Sequence, residues 1–166
     1  MTLRVSVIVV AWNRRDATLR AVASAYRQSY GPHEVVLVDA GSVDGTVEHV
    51  RERFADVVVV SLGENRGVPG NRNAGAEVAA GDVLFFLDND ALLERCALEQ
   101  TVECFTGRPR LMAIGARILA RQSEEVDRYA WVYPFAPSTC ERRPFRTYTF
   151  AGGACAIRRD AFVAAG

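Results

Sequence analysis

The sequence contains no lysine. Every one of its 20 basic residues is arginine, and 20 acidic residues bring the formal net charge to zero. The missing amine excludes a P-loop lysine, a Schiff-base lysine and the lysine of a response-regulator receiver. Balanced charge argues against a general nucleic-acid or membrane-surface binder. Histidine is scarce, with two residues, and the four cysteines, Cys96, Cys104, Cys140 and Cys155, include no C-x-x-C pair. A zinc site is therefore not expected, and the thiols read as reduced and mostly buried, in a reducing compartment. No apolar run is long enough to cross a bilayer, and "MTLRVSVIVVAWNRR" lacks the small-residue cleavage site of a secretion signal. A cytoplasmic location follows as an expectation. Glycine is absent where a dinucleotide fingerprint needs it: "VVAWNRRDAT" follows the first apolar run, which speaks against NAD or FAD.

What is present suits one domain. The chain has 166 residues, 49% hydrophobic and 24% charged. Four short, nearly continuous apolar runs, 5–10, 35–38, 57–60 and 83–87, have the composition of strands buried on both faces of a parallel sheet. Helical spacing lies between them. Leu19, Val22, Ala23 and Tyr26 share one face, with Asp16 as the expected N-cap. Val47, Val50 and Phe54 share another, after Ser42 and Asp44. A third helix is expected over 71–79 with Gly81 as its stop, and a fourth over about 91–105. The order is βαβαβαβ with right-handed crossovers. A further strand is expected over 111–119. Residues 121–150 show no clear period, and "GGACAI" (152–157) reads as a short strand before a helix.

In such a sheet ligands bind outside the carboxyl ends of the strands. Trp12 and Asn13 follow the first run, Asp39 the second, and Asp88, Asn89 and Asp90 the fourth. Two carboxylates at i and i+2 repel unless a cation offsets them. A hard divalent ion, Mg²⁺ or Mn²⁺, takes one or two carboxylates and completes its shell with water and phosphate oxygens. The alternative is that Asp88 to Asp90 cap a helix beginning near Ala91. Trp12 has a core alternative. Asn65, Gly67, Gly70 and Gly75 read as loop and helix shapers. His33, His49, Arg142, Arg143, Arg158 and Arg159 read as surface residues.

Four segments, in order, resemble the nucleotide-sugar-binding part of family 2 glycosyltransferases of the GT-A fold. They are "VSVIVVAWNR", "SYGPHEVVLVDAGSVDGT", "NRGVPGNRNAGAEVAAGDVLFFLDND" and "GGACAIRRDAF", covering roughly residues 3 to 166. The resemblance implies a Rossmann-like three-layer α/β sandwich with a mostly parallel sheet. Residues 1–105 would form the nucleotide-sugar-binding half and 106–166 the start of an incomplete acceptor-side half of a single domain. It implies a metal-dependent transferase using a nucleoside-diphosphate sugar, UDP- or dTDP-linked, and a saccharide or lipid-linked acceptor in envelope or polysaccharide synthesis. Trp12 would lie beside the base, Asp39 would bond base or ribose, and Arg72 would reach the nucleotide. Asp88 would contact ribose or metal, and Asp90 would bind the metal. Asn13 and Asn89 belong to the same nucleotide-binding set. Val10, Ala11 and Ala40 depart from the family's usual residues and bear on base preference. The general base is expected beyond Gly166, since nothing aims Glu124, Glu125 or Asp127 at the cleft. Peripheral contact at the inner membrane face and self-association are further expectations. The competing readings are a non-catalytic or truncated nucleotide-sugar-binding module and a sugar nucleotidyltransferase, although the latter's Gly-rich loop after strand one is missing.

Overall fold

A computed structural model describes residues 2–119 and 152–165. The apolar runs form strands β1 (Val5–Ala11), β2 (His33–Asp39), β3 (Val58–Ser61) and β4 (Val83–Asp88). Two more strands, β5 (Ala113–Gly115) and β6 (Ala154–Arg158), complete one six-stranded sheet of order β3-β2-β1-β4-β6-β5. The first four strands are parallel, while β6 runs antiparallel to β4 and β5 antiparallel to β6. β1 lies between β2 and β4. Its register pairs Ala11 with Asp39 and Val10 with Asp88, so β1, β2 and β4 end together.

Alternation along the strands divides the core into two layers, because successive side chains point to opposite faces. Val5, Val7, Val9 and Ala11 of β1 pack beneath α1 (Arg15–Tyr26), α2 (Thr46–Arg53) and α4 (Ala97–Thr106). Ile8, Val36, Val38, Leu84 and Phe86 pack beneath α3 (Gly67–Val78), and Phe162 of α5 (Arg159–Ala164) joins them. The near-continuous hydrophobicity of β1, β2 and β4 follows from cover on both faces. β3 is an edge strand, and Val58 is exposed.

Local chemistry moves several expected boundaries. Asp16 does not cap α1. That position belongs to Arg14, and the amide of Arg15 donates instead to Asp44 Oδ2 at 2.8 Å. The N-cap of α2 is Gly45, with Asp44 accepting from Thr46 N just inside the helix. Helix α3 starts at Gly67, four residues before the expected Asn71, and ends at Val78. Gly81 is not its stop. A Cβ there would lie 2.6 Å from Ser6 Oγ and 2.7 Å from Ser6 N, so glycine serves a close approach of backbones. Helix α4 begins at Ala97, not near Ala91. The last helix, α5, follows β6 directly.

Other expectations are adjusted in the same way. Cys155 is buried, but Cys96 is exposed and Cys104 half-buried. Arg158 is not a solvated surface residue. Its guanidinium donates to the carbonyls of Leu111 and Phe105 at 2.9 Å each and lies over the Phe105 ring, clamping β6 to the end of α4. Cys140, Arg142, Arg143 and the acidic residues 124, 125 and 127 lie outside the described residues.

Candidate active site at the carboxyl ends of the strands

Three loops meet where β1, β2 and β4 end. The first turns sharply. Asn13 and Arg14 are both left-handed, at φ 57 and 58. That conformation costs a non-glycine residue roughly 1–2 kcal/mol, less for Asn, which tolerates it. Bonds to the β2 loop hold the turn: Asn13 N donates to Ser42 Oγ at 2.7 Å, and Val43 N donates to Asn13 Oδ1 at 2.9 Å. The β4 loop is tied to the same turn. Asn89 Nδ2 donates to Asn13 O at 3.3 Å and Thr18 Oγ1 at 3.0 Å. Asn13 and Asn89 thus join loops.

Trp12 stands on this rim, 58% exposed, which removes its core alternative. A large flat apolar side chain in solvent at a strand end is available for stacking. Asp39, in contrast, is buried. Its carboxylate accepts from Gly41 N and Ser42 N at 3.2 to 3.3 Å and so shapes the β2 loop. His33 and His49 hold nearby backbone carbonyls, of Tyr30 and Gly45, with their Nδ1 atoms.

The two carboxylates that close β4 each face an arginine. Arg72, projecting from α3, donates to Asp88 Oδ1 at 3.1 Å and to the Gly152 carbonyl at 2.6 Å. Its guanidinium lies 5.5 Å from the Phe86 ring centroid. Asp90 Oδ2 accepts from Arg14 Nη1 at 2.9 Å. Arg14 was not among the residues singled out from the sequence. Its only local signal is a position directly after a turn-forming Asn. Burial is the main force on Asp88 and raises its pKa; the charge and hydrogen bond of Arg72 oppose this, and Asp90 adds to it. Asp88 is thus a carboxylate short of positive charge.

Helix capping does not account for Asp88 to Asp90, because α4 begins six residues after Ala91. Asp88 Oδ2 and Asp90 Oδ1 make no bond to a described residue. Among the described residues, no group of three or more His, Cys, Asp or Glu could enclose a metal by itself. The pair fits a cation that brings its remaining ligands with it, as Mg²⁺ and Mn²⁺ do with phosphates and water. β6 reaches the same place: Asp88 N donates to Gly153 O at 3.0 Å, and a Cβ on Gly153 would lie 3.2 Å from Asp88 Oδ2. No helix among the described residues is long and apolar enough to cross a membrane.

The chain is similar to known proteins along most of its length. The family model "Glycosyl transferase family 2" matches residues 6–165. A glucosyl-dolichyl phosphate glucuronosyltransferase of Haloferax volcanii is 30% identical, aligned over 99% of this chain and 55% of that protein. A putative teichuronic acid biosynthesis glycosyltransferase of Bacillus subtilis, TuaG, is 33% identical over 75% of this chain and 51% of its own length. Among solved structures, a Pyrobaculum calidifontis mannosyltransferase in complex with GDP-Man and Mn²⁺ superposes with a TM-score of 0.76 at 25% identity. It covers the whole of this chain and 47% of the mannosyltransferase. S. aureus TarS 1-349 superposes with a TM-score of 0.74 at 22% identity, over 94% of this chain and 47% of that one. The chain thus spans about half the length of these relatives. With the α/β sheet of the GT-A glycosyltransferases and a family match along almost its whole length, this chain belongs to glycosyl transferase family 2.

Proposed function

We propose that this chain binds the donor of a glycosyltransferase, a nucleoside-diphosphate sugar held together with Mg²⁺ or Mn²⁺. The observation that carries the reading is the electrostatics of the β4 end. Asp88 has its pKa raised by burial and by Asp90, each carboxylate keeps one oxygen unbonded to any described residue, and two arginines stand beside them. Such a mixed set suits a diphosphate and a divalent cation together, with carboxylates toward the metal and guanidiniums toward phosphate oxygens. Asp90, the more exposed carboxylate, is the principal metal ligand, and Asp88 the second or a ribose contact. The bound cation would neutralise charge on the departing diphosphate. Arg72 orients that diphosphate from its anchor on Gly152. Trp12 offers its face to the base.

The buried Asp39 modifies its expected role. Its carboxylate holds the loop amides of Gly41 and Ser42, so it acts on the base through the shape of that loop. The acceptor is a saccharide or a lipid-linked saccharide. Relatives whose names carry dolichyl phosphate and teichuronic acid support envelope or polysaccharide chemistry. The general base is not assigned to any described residue. Calorimetric titration with UDP, dTDP and GDP, each with Mn²⁺ and with EDTA, tests the reading. Metal-dependent binding of at least one is expected. Equal affinity in Mn²⁺ and in EDTA refutes the metal, and no binding of any refutes the donor site.

A further inference from the structure

Arg14 occupies an unusual position. The left-handed pair at Asn13 and Arg14 is pinned on both sides: by the bonds of Asn13 to Ser42 and Val43, by Arg15 N on Asp44, and by Thr18 N donating to Arg14 O at 3.0 Å. The fold thereby directs the Arg14 side chain across the mouth of the sheet to Asp90, 76 residues later. The ion pair so formed is open to solvent, with the two side chains 66% and 57% exposed. An exposed pair of this kind adds little to stability, since water competes for both partners. The turn is fixed by its own bonds to the neighbouring loops, and the Arg14–Asp90 contact it presents adds little to the stability of the fold. On the other side of Arg14 lies an open hollow of about 300 Å³ lined also by Arg15, Asp16, Ala17 and Asp44.

We propose that Arg14 is an exchangeable counterion. It neutralises Asp90 in the nucleotide-free chain and passes to a phosphate of the donor when Asp90 turns to a divalent cation. This rests on the donor-site reading above and adds an order to it. A bare cation has to displace a guanidinium already seated on its best ligand. A cation arriving with a diphosphate supplies Arg14 with a new anion at the same moment. The nucleotide–metal complex is then captured as a unit, and free metal is held poorly.

Arg14→Gly is the informative variant, because glycine adopts φ near 58 without strain and folding is not at risk. Two affinities are measured in the full chain: Mn²⁺ alone, from the free-ion electron paramagnetic resonance signal, and whichever nucleoside diphosphate wild type binds, with Mn²⁺ present. Arg14→Gly is expected to bind Mn²⁺ alone about three- to fivefold more tightly, the scale of an exposed ion pair. It is expected to bind the nucleotide complex about tenfold more weakly, the scale of a lost charge-assisted hydrogen bond. Arg14→Lys retains a cation and is expected between glycine and wild type in both. An unchanged or weakened Mn²⁺ affinity, binding of Mn²⁺ alone beyond detection in both chains, or an unchanged nucleotide affinity each overturns the proposal. Absence of Mn²⁺-dependent nucleotide binding in wild type overturns instead the donor-site reading on which it rests.

Discussion

Gly75→Ala sets helix propensity against packing. Gly75 lies inside α3, where alanine is intrinsically favoured by about 1 kcal/mol. On the sheet side, however, a Cβ would meet Ile8 Cγ2 at 2.5 Å and Val38 Cγ2 at 2.8 Å. Ordinary carbon contacts lie near 3.5–4.0 Å, so the overlap is about 1 Å against two methyls on two different strands. Both residues are fully buried, and neither can retreat without disturbing the opposite layer. Overpacking of this kind costs roughly 1–3 kcal/mol, and the two-point clash belongs at the upper end. The net expectation is a loss of about 2 kcal/mol, or roughly 4–8 °C in Tm for a domain of this size. A second consequence follows at the site. Arg72 sits three residues before Gly75, and lifting α3 by about 1 Å would take its contacts at 2.6 and 3.1 Å out of hydrogen-bonding range. Urea denaturation and nucleotide titration should both register the change. A variant as stable as wild type, or more so, would refute the account of how α3 seats on β1 and β2.

Three further outcomes are expected. Asp90→Ala should unfold at the same urea concentration as wild type within about 1 kcal/mol, since it removes only an exposed pair, while abolishing the metal-dependent part of nucleotide binding in calorimetry. Asp39→Ala should destabilise by roughly 1–3 kcal/mol, because the amides of Gly41 and Ser42 lose their acceptor; a denaturation midpoint unchanged from wild type would show that water replaces it. Asp88→Asn should be more stable than wild type at pH 7 without metal. The folded-state pKa of Asp88 is raised, so its contribution is intact at acid pH and is lost as pH rises through that value. The advantage of asparagine should therefore shrink as pH falls through the carboxylate range, and a gain independent of pH would contradict the burial argument.

The parallel strands were legible because burial on both faces leaves a continuous apolar signature. β1 sits between β2 and β4, so the carboxylates that follow or end those strands come to the same edge of the sheet. Helix starts were harder to read. α3 begins in "GVPGN", where Gly67, Pro69 and Gly70 weaken any helical signal, and it forms because its far face packs on Ile8 and Val38. "ALLER" carries helical residues but stays outside α4. Ala91 N closes a local turn onto Asp88 O, and Leu93 N is drawn to Ser24 Oγ, a bond that only the tertiary structure supplies. The candidate carboxylates stand out by their i, i+2 spacing together with their place directly after a buried strand. Arg14 does not, since one arginine among twenty carries no mark of its partner. Nor does the sequence say that Asp39 turns its oxygens onto its own loop.

The anchoring of Arg72 on Gly152, across 80 positions, bears on when the site comes into being. Domains are made N-terminus first, at about 5–20 residues per second. Once β4 has emerged, the four parallel strands can begin to close their two hydrophobic layers. At that stage Arg72 has Asp88 but not the carbonyl that fixes its reach, and Asp88 N has no Gly153 O to meet. Both contacts wait for β6, roughly 3–14 s of synthesis later at those rates. During that interval the nascent chain holds a sheet in which Arg72 and Asp88 lack these two partners. The proposed donor site is thereby completed only once the segment leading into β6 is in place.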